Sequence, residues 1–137
     1  MKAGLMFKNK LLRKIAVGAS LAGLILTAAL TLTVAAAPTT PAEKGKQFFT
    51  QSCVNCHGMN GQGVPNLGAD LQTSKLVATS SDNRLVSLIQ DGVPANSPIN
   101  KSHIPMPPKG ANASLTTQDI HDIVAYIRQL QKTHKGK

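Results

Sequence analysis

"CVNCH", residues 53–57, holds the only two cysteines of a 137-residue chain, three positions apart, with a histidine directly after the second. What these three side chains hold decides how the rest of the chain folds. The length allows one small domain. The net charge of +9 overstates how basic that domain is, because Lys2, Lys8, Lys10, Arg13 and Lys14 all lie in residues 1–36, which contain no acid. Without those five cations, ten basic residues face six acidic ones, a net of +4. No basic stripe with interleaved aromatics is present, so nucleic acid is not an expected partner. Beyond residue 36 the aromatics are Phe48, Phe49 and Tyr126 alone. A domain of about 100 residues is near the lower limit for a core made of side chains only, so something else is expected to fill this one.

The N-terminus opens with the cationic "MKAGLMFKNKLLRK", followed by 23 uncharged residues, 15–37, that end in "TVAAAP". This reads as a signal peptide over residues 1–36, cut after Ala36 at small residues. The competing reading is a retained N-terminal membrane anchor, since about 18 apolar residues or more can span a bilayer. Gly18, Ser20, Gly23, Thr27, Thr31 and Thr33 dilute the stretch. Either way the cations stay cytoplasmic and the domain is exported, to a periplasm or equivalent compartment. It meets a membrane only if the segment is kept. Residues 37–40 read as a linker.

The sequence Thr40-Pro41-Ala42-Glu43 is a helix start with a capping box and proline in the first position, and the helix is expected to run to about Ser52. Gly45 inside it costs about 1 kcal/mol against alanine, but lets another helix come close. "GMNGQGVPNLG", residues 58–68, reads as loop. A short helix is expected at residues 82–90, capped by Ser80 or Ser81, with Leu85, Leu88 and Ile89 inward and Gly92 past its end. Residues 93–114 hold five prolines, and a loop that long in a small domain is usually functional. Thr116 or Thr117 caps a last helix with Asp119 at its positive start. Ile120, Ile123, Val124, Ile127 and Leu130 make its apolar stripe, Tyr126 lies beside it, and residues 132–137 read as a fraying basic tail. No segment alternates as a strand would. The fold class is all-α, with three or more helices around long loops.

Several chemistries use C-x-x-C-H. A redox dithiol needs a strand-rich framework, which is not evident. A disulfide closing so small a loop adds little through chain entropy. A zinc site lacks its usual four ligands, since no second cluster exists. Covalent attachment of a c-type haem is the remaining reading: cysteines three apart near a helix end lie on one side of the backbone, able to form thioethers with two haem vinyl groups, and His57 then falls beneath the iron.

"GKQFFTQSCVNCHGMNGQGVPNL" (residues 45–67), "DGVPANSP" (91–98), "IPMPPKG" (104–110) and "LTTQDIHDIVAYIRQL" (115–130) together resemble the class I monohaem cytochromes c of bacteria, over residues 41–131 in order. The resemblance implies an all-α cytochrome c fold wrapped around one covalently bound haem c, His/Met axial ligation and electron carriage between redox-protein donor and acceptor, without enzymatic activity. It gives Cys53 and Cys56 the thioether positions, His57 the proximal iron ligand and Met106 the distal one. It gives the Pro65 backbone carbonyl the bond from the His57 Nδ1–H, and it has Gly45 and Phe49 cross the last helix near Tyr126.

Methionine is commonly core filler, but Met106 sits between Pro105 and Pro107, which stiffen the backbone and hold a thioether in place. Met59 is too near His57 to reach the other haem face and reads as local packing. His103 is the rival ligand, against its plainer reading as a solvated loop residue. His121, His134, Asp119 and Asp122 read as surface. Lys75, Lys101, Lys109 and Lys132 read equally as a ring about a haem edge or as scattered charge. A displaceable Met106 would instead give a ligand sensor or weak peroxidase, and a retained anchor would suit a permanent subunit of a larger oxidoreductase.

Overall fold

Thr40 starts the first helix as its sequence requires. The computed structural model describes residues 40–136; the expected leader or anchor and residues 37–39 of the linker lie outside it. The Thr40 hydroxyl accepts the Glu43 N–H, and the Glu43 carboxylate accepts the Thr40 N–H at 2.9 Å. With Pro41 in the first turn, this closes the capping box of α1, Pro41–Ser52. A one-turn helix α2, Val54–His57, follows, then α3, Lys75–Thr79, α4, Asp82–Asp91, and α5, Thr117–Lys135. Among the described residues there is no strand, only isolated antiparallel bridges at Val64–Gly68 and Val93–Met106. No described helix is long and apolar enough to cross a membrane.

The closest approach is between α1 and α5. A side-chain carbon added at Gly45 would lie 1.8 Å from the Asp122 carbonyl oxygen, so the glycine read as a contact point is where the two backbones touch. One turn along, the fully buried Phe49 meets Tyr126 edge-on, ring centres 5.3 Å apart at 65°, a favoured aromatic geometry. Ile120, Ile123, Val124 and Ile127 are buried along α5, as their spacing predicts. The Asp122 side chain is buried rather than surface, at 4 % exposure, and its carboxylate accepts from Gln118. The reason is the glycine contact, which brings α1 over that part of α5. The expected tail also differs: α5 runs on to Lys135, with Lys132, His134 and Lys135 in its last turn, where positive charge suits the helix dipole.

The central helix carries its expected cap, with Ser81 accepting the Arg84 N–H, and Gly92 ends it at φ +75°. Leu85 and Ile89 are buried, Val86 joins them, and Leu88 is partly buried. The preceding helix α3 was not legible, since five residues are too few to show a period. Two polar side chains of α5 hold it. Arg128 donates to the Val77 and Ser80 carbonyls and pairs with Asp82 at 2.8 Å, while the buried Gln131 donates to Ser74, the N-cap of α3, at 3.1 Å.

Gly45→Ala should destabilise the protein by about 3 kcal/mol, because the obstruction is a backbone carbonyl that cannot swing aside. Denaturant unfolding measures this, and a loss under about 0.5 kcal/mol, the level of a neutral surface change, would contradict the close crossing. A second test is acidic. The Thr116 backbone N–H and hydroxyl bonds hold the Asp119 carboxyl below its usual range. A group with a depressed folded pKa stabilises above its unfolded value, near pH 4, and loses that contribution as pH falls through the folded value. The stability gap between wild type and Asp119→Ala should therefore be full at neutral pH and close below about pH 4; a gap unchanged down to pH 2 would refute it.

Candidate functional site

Cys53 ends α1, donating its N–H to the Phe49 carbonyl at 2.8 Å, and its own carbonyl accepts the His57 N–H at 2.9 Å. Residues 53–57 are thus one helical turn, stopped by Gly58 at φ +77°. The turn faces a cavity of about 490 Å³, lined by Cys53, Cys56 and His57 and also by Met106 from the proline-rich loop. The apolar wall comes from every other part of the fold: Phe49 of α1, Val77 of α3, Leu85 and Ile89 of α4, Ile123 and Ile127 of α5. Of these, Leu85, Ile89, Ile123 and Ile127 are expected from their spacing to face inward. The structure makes them the walls of the site.

His57 Nδ1 lies 2.8 Å from the Ala69 carbonyl oxygen. This corrects the expectation that Pro65 supplies the acceptor. The Val64 and Gly68 backbones pair with each other at 3.1 Å in both directions, and the Val64 carbonyl also accepts the Leu67 N–H at 3.0 Å. Pro65 is therefore in the tip of a tight turn, where it lines the cavity, and the chain returns past His57 at residue 69. Two features fix that return. Gly68 is flush on the Cys56 backbone, where an added carbon would lie 2.2 Å from the Cys56 oxygen. Asp70 accepts the Gln72 and Thr73 N–H groups at 2.7 and 3.2 Å and the Thr73 hydroxyl at 2.7 Å. Desolvation pushes the Asp70 carboxyl up, but these bonds and the nearby His134 charge together hold it below its usual range.

Met106 is partly buried and fixed through its backbone. It exchanges two hydrogen bonds with Val93, each 2.9 Å, and its carbonyl lies flush on Gly92, where an added carbon would sit 2.5 Å away. Met59, read as local packing, is instead 63 % exposed, because the turn after Gly58 carries it outward. His103 is exposed at φ +58° and does not line the cavity. His121 and His134 are exposed, as expected. The four lysines do not form one free set: Lys101 lines the cavity and donates to Pro98 at 3.1 Å, Lys109 donates to Leu115 at 2.6 Å, and Lys75 and Lys132 are exposed.

The chemistry of the site separates the readings of C-x-x-C-H. Burial, and then the neighbouring Cys56, push the Cys53 thiol up to about 11, whereas reactive redox dithiols are lowered to about 3.5–7.5. Among the described residues, no group of three or more His, Cys, Asp or Glu could hold a metal ion, which removes the zinc site. What remains is two unpaired thiols, an imidazole and a thioether on one apolar cavity, whose volume is in the range of about 300–1,000 Å³ usual for cofactor pockets. A large, mostly apolar group with a metal centre fits this donor set.

The match to a protein-family profile agrees. The cytochrome c family profile matches residues 42–131. No curated protein matches the chain. Among solved structures, cytochrome cL from the marine methylotrophic bacterium Methylophaga aminisulfidivorans MPT is similar at 25 % identity and a TM-score of 0.49, over 65 % of this chain and 52 % of that one. The c-type cytochrome KustC0563 is similar at 23 % identity and a TM-score of 0.46, over 64 % of this chain and 96 % of that one. The chain spans about half the length of the cytochrome cL. On the family match, the chain belongs to the cytochrome c family, proteins of haem-based electron transfer, with Cys53 and Cys56 as the pair for one covalently bound c-type haem.

Proposed function

We propose that this is an exported class I carrier of single electrons, in which Cys53 and Cys56 tether the haem by thioethers while His57 and Met106 ligate its iron. One observation carries the proposal: all four side chains, from two segments fifty residues apart, line the same cavity. The haem, when bound, supplies a one-electron iron couple. The chain supplies fixed ligands. A proton held at His57 Nδ1 by the Ala69 carbonyl leaves Nε2 free to ligate, and such a partner also raises ligand basicity. The thioether of Met106 adds a weaker donor, and a His/Met pair raises the reduction potential.

The backbone pairing of Met106 with Val93 and its contact with Gly92 favour a permanent ligand over a displaceable one, and so a carrier over a ligand sensor or peroxidase. Donor and acceptor are redox proteins of the exported compartment or its membrane, which the cationic start and uncharged stretch of residues 1–37 support. The basic end of α5 and the exposed Lys75 offer charge for meeting them.

The experiment is a set of spectra on the purified haem-loaded protein. Wild type should show a ferric long-wavelength band from sulfur-to-iron charge transfer and slow cyanide binding. Met106→Ala should keep the covalent haem, lose the band, lower the reduction potential and bind cyanide rapidly. A Met106→Ala protein with the band intact, or a high-spin ferric wild type that takes up cyanide at once, would overturn the ligand set.

A further inference from the structure

Three residues after Met106, the backbone does something that its sequence does not favour. Lys109, Gly110 and Ala111 have φ of 54°, 61° and 67° in succession, and the ψ of Lys109 and Gly110 are 25° and 30°. All three have the left-handed φ, a conformation that L-residues visit as single positions and that is cheap only for glycine. Lys109 and Ala111 therefore carry strain, and such strain persists only where the surroundings over-determine it.

The surroundings do so. A ring of hydrogen bonds closes on itself: the Asn112 N–H donates to the Lys109 carbonyl at 3.2 Å, the Leu115 N–H to the Asn112 carbonyl at 3.2 Å, and the Lys109 ammonium to the Leu115 carbonyl at 2.6 Å. The ring has two anchors. Leu115 is buried at 3 % exposure. On the other side, Asn112 Nδ2 donates to Ser52 Oγ at 3.0 Å, and Gly110 lies flush on the Ser52 backbone, where an added carbon would be 2.7 Å from the carbonyl oxygen. Ser52 directly precedes Cys53. The turn that follows Met106 is thus fastened to the residue that precedes the haem-binding pair. Glycine or asparagine would fit the backbone at position 109 more cheaply, but neither reaches Leu115 with a charged donor.

We propose that Lys109 is a positioning residue for Met106: its bond to Leu115 holds the strained turn shut, and the shut turn, through Pro107 and Pro108, keeps the Met106 thioether on the iron. This rests on the reading of Met106 as the distal ligand. Without the ammonium the turn relaxes and Met106 leaves the iron more often, so that small exogenous ligands enter.

The test measures cyanide binding to the haem-loaded ferric protein, with the sulfur-to-iron band and the thermal midpoint recorded alongside. Lys109→Met, which keeps the apolar stem and removes the donor, should speed cyanide binding by about tenfold or more, the usual scale for loss of an outer partner of a metal ligand. Lys109→Arg, which restores a charged donor, should recover much of the wild-type rate. Lys109→Asn, which fits the left-handed backbone and cannot reach Leu115 with a charged donor, opens the ring at the same bond and should act like Lys109→Met; it carries the test if Lys109→Met fails to accumulate with haem. Ala111→Gly removes strain without touching the ring and should leave cyanide binding at the wild-type rate or slower. Wild-type rates and an undiminished band in Lys109→Met, or in Lys109→Asn where the first does not accumulate, would overturn the positioning role. Met106→Ala separates this from failure of the ligand reading: if it too leaves the band intact, the ligand set is wrong, and if it loses the band, only the role of Lys109 falls.

Discussion

The contact of α1 with α5 at Gly45 is the constraint on which the rest of the fold depends. With no side chain between them, the two helix backbones meet at the Asp122 carbonyl. That contact sets the distance at which Phe49 meets Tyr126. It also positions α1 against α5, and so the turn carrying Cys53, Cys56 and His57 that follows it. Ile123 and Ile127 of α5 face the same cavity. A short α1, capped at Thr40 and held at Gly45, thus delivers Cys53, Cys56 and His57 to a wall that α5 helps to build.

Around that pair, polar bonds rather than further helix packing hold the less regular parts. Arg128 and Gln131 tie α3 and the start of α4 to α5. Asp70 gathers the turn after Ala69, whose carbonyl meets His57. Val93 and Gly92 fix Met106 from one side, and a left-handed turn at Lys109 follows it beyond Pro107 and Pro108. The three aromatics beyond residue 36 are too few to fill a core, and the apolar faces of the helices turn toward the cavity instead. A bound haem would therefore be part of the core as well as the working group.

The long signals were readable in the chain. The capping box at Thr40, a threonine cap with Asp119 at the start of α5, the stripe of α5, the glycine at the crossing and the C-x-x-C-H turn each express a local rule, and each lies where that rule puts it. What was not readable depended on tertiary geometry. Helix α3 is shorter than two turns. Asp122, Arg128 and Gln131 are polar residues turned inward, which a pattern of apolar spacing assigns to the surface. The acceptor for His57 moved from Pro65 to Ala69 because the Val64–Gly68 pairing, invisible in sequence, decides which carbonyl comes past the ring. The Lys109 turn carried a single glycine as its only hint of three left-handed residues in a row.

The central claim is that the haem completes the core. Calorimetry of residues 37–137, prepared with and without covalently attached haem, tests it most directly. The account predicts one cooperative transition for the haem-loaded protein and a broad, weak one or none for the haem-free chain. A haem-free chain that unfolds cooperatively at the same midpoint would contradict it.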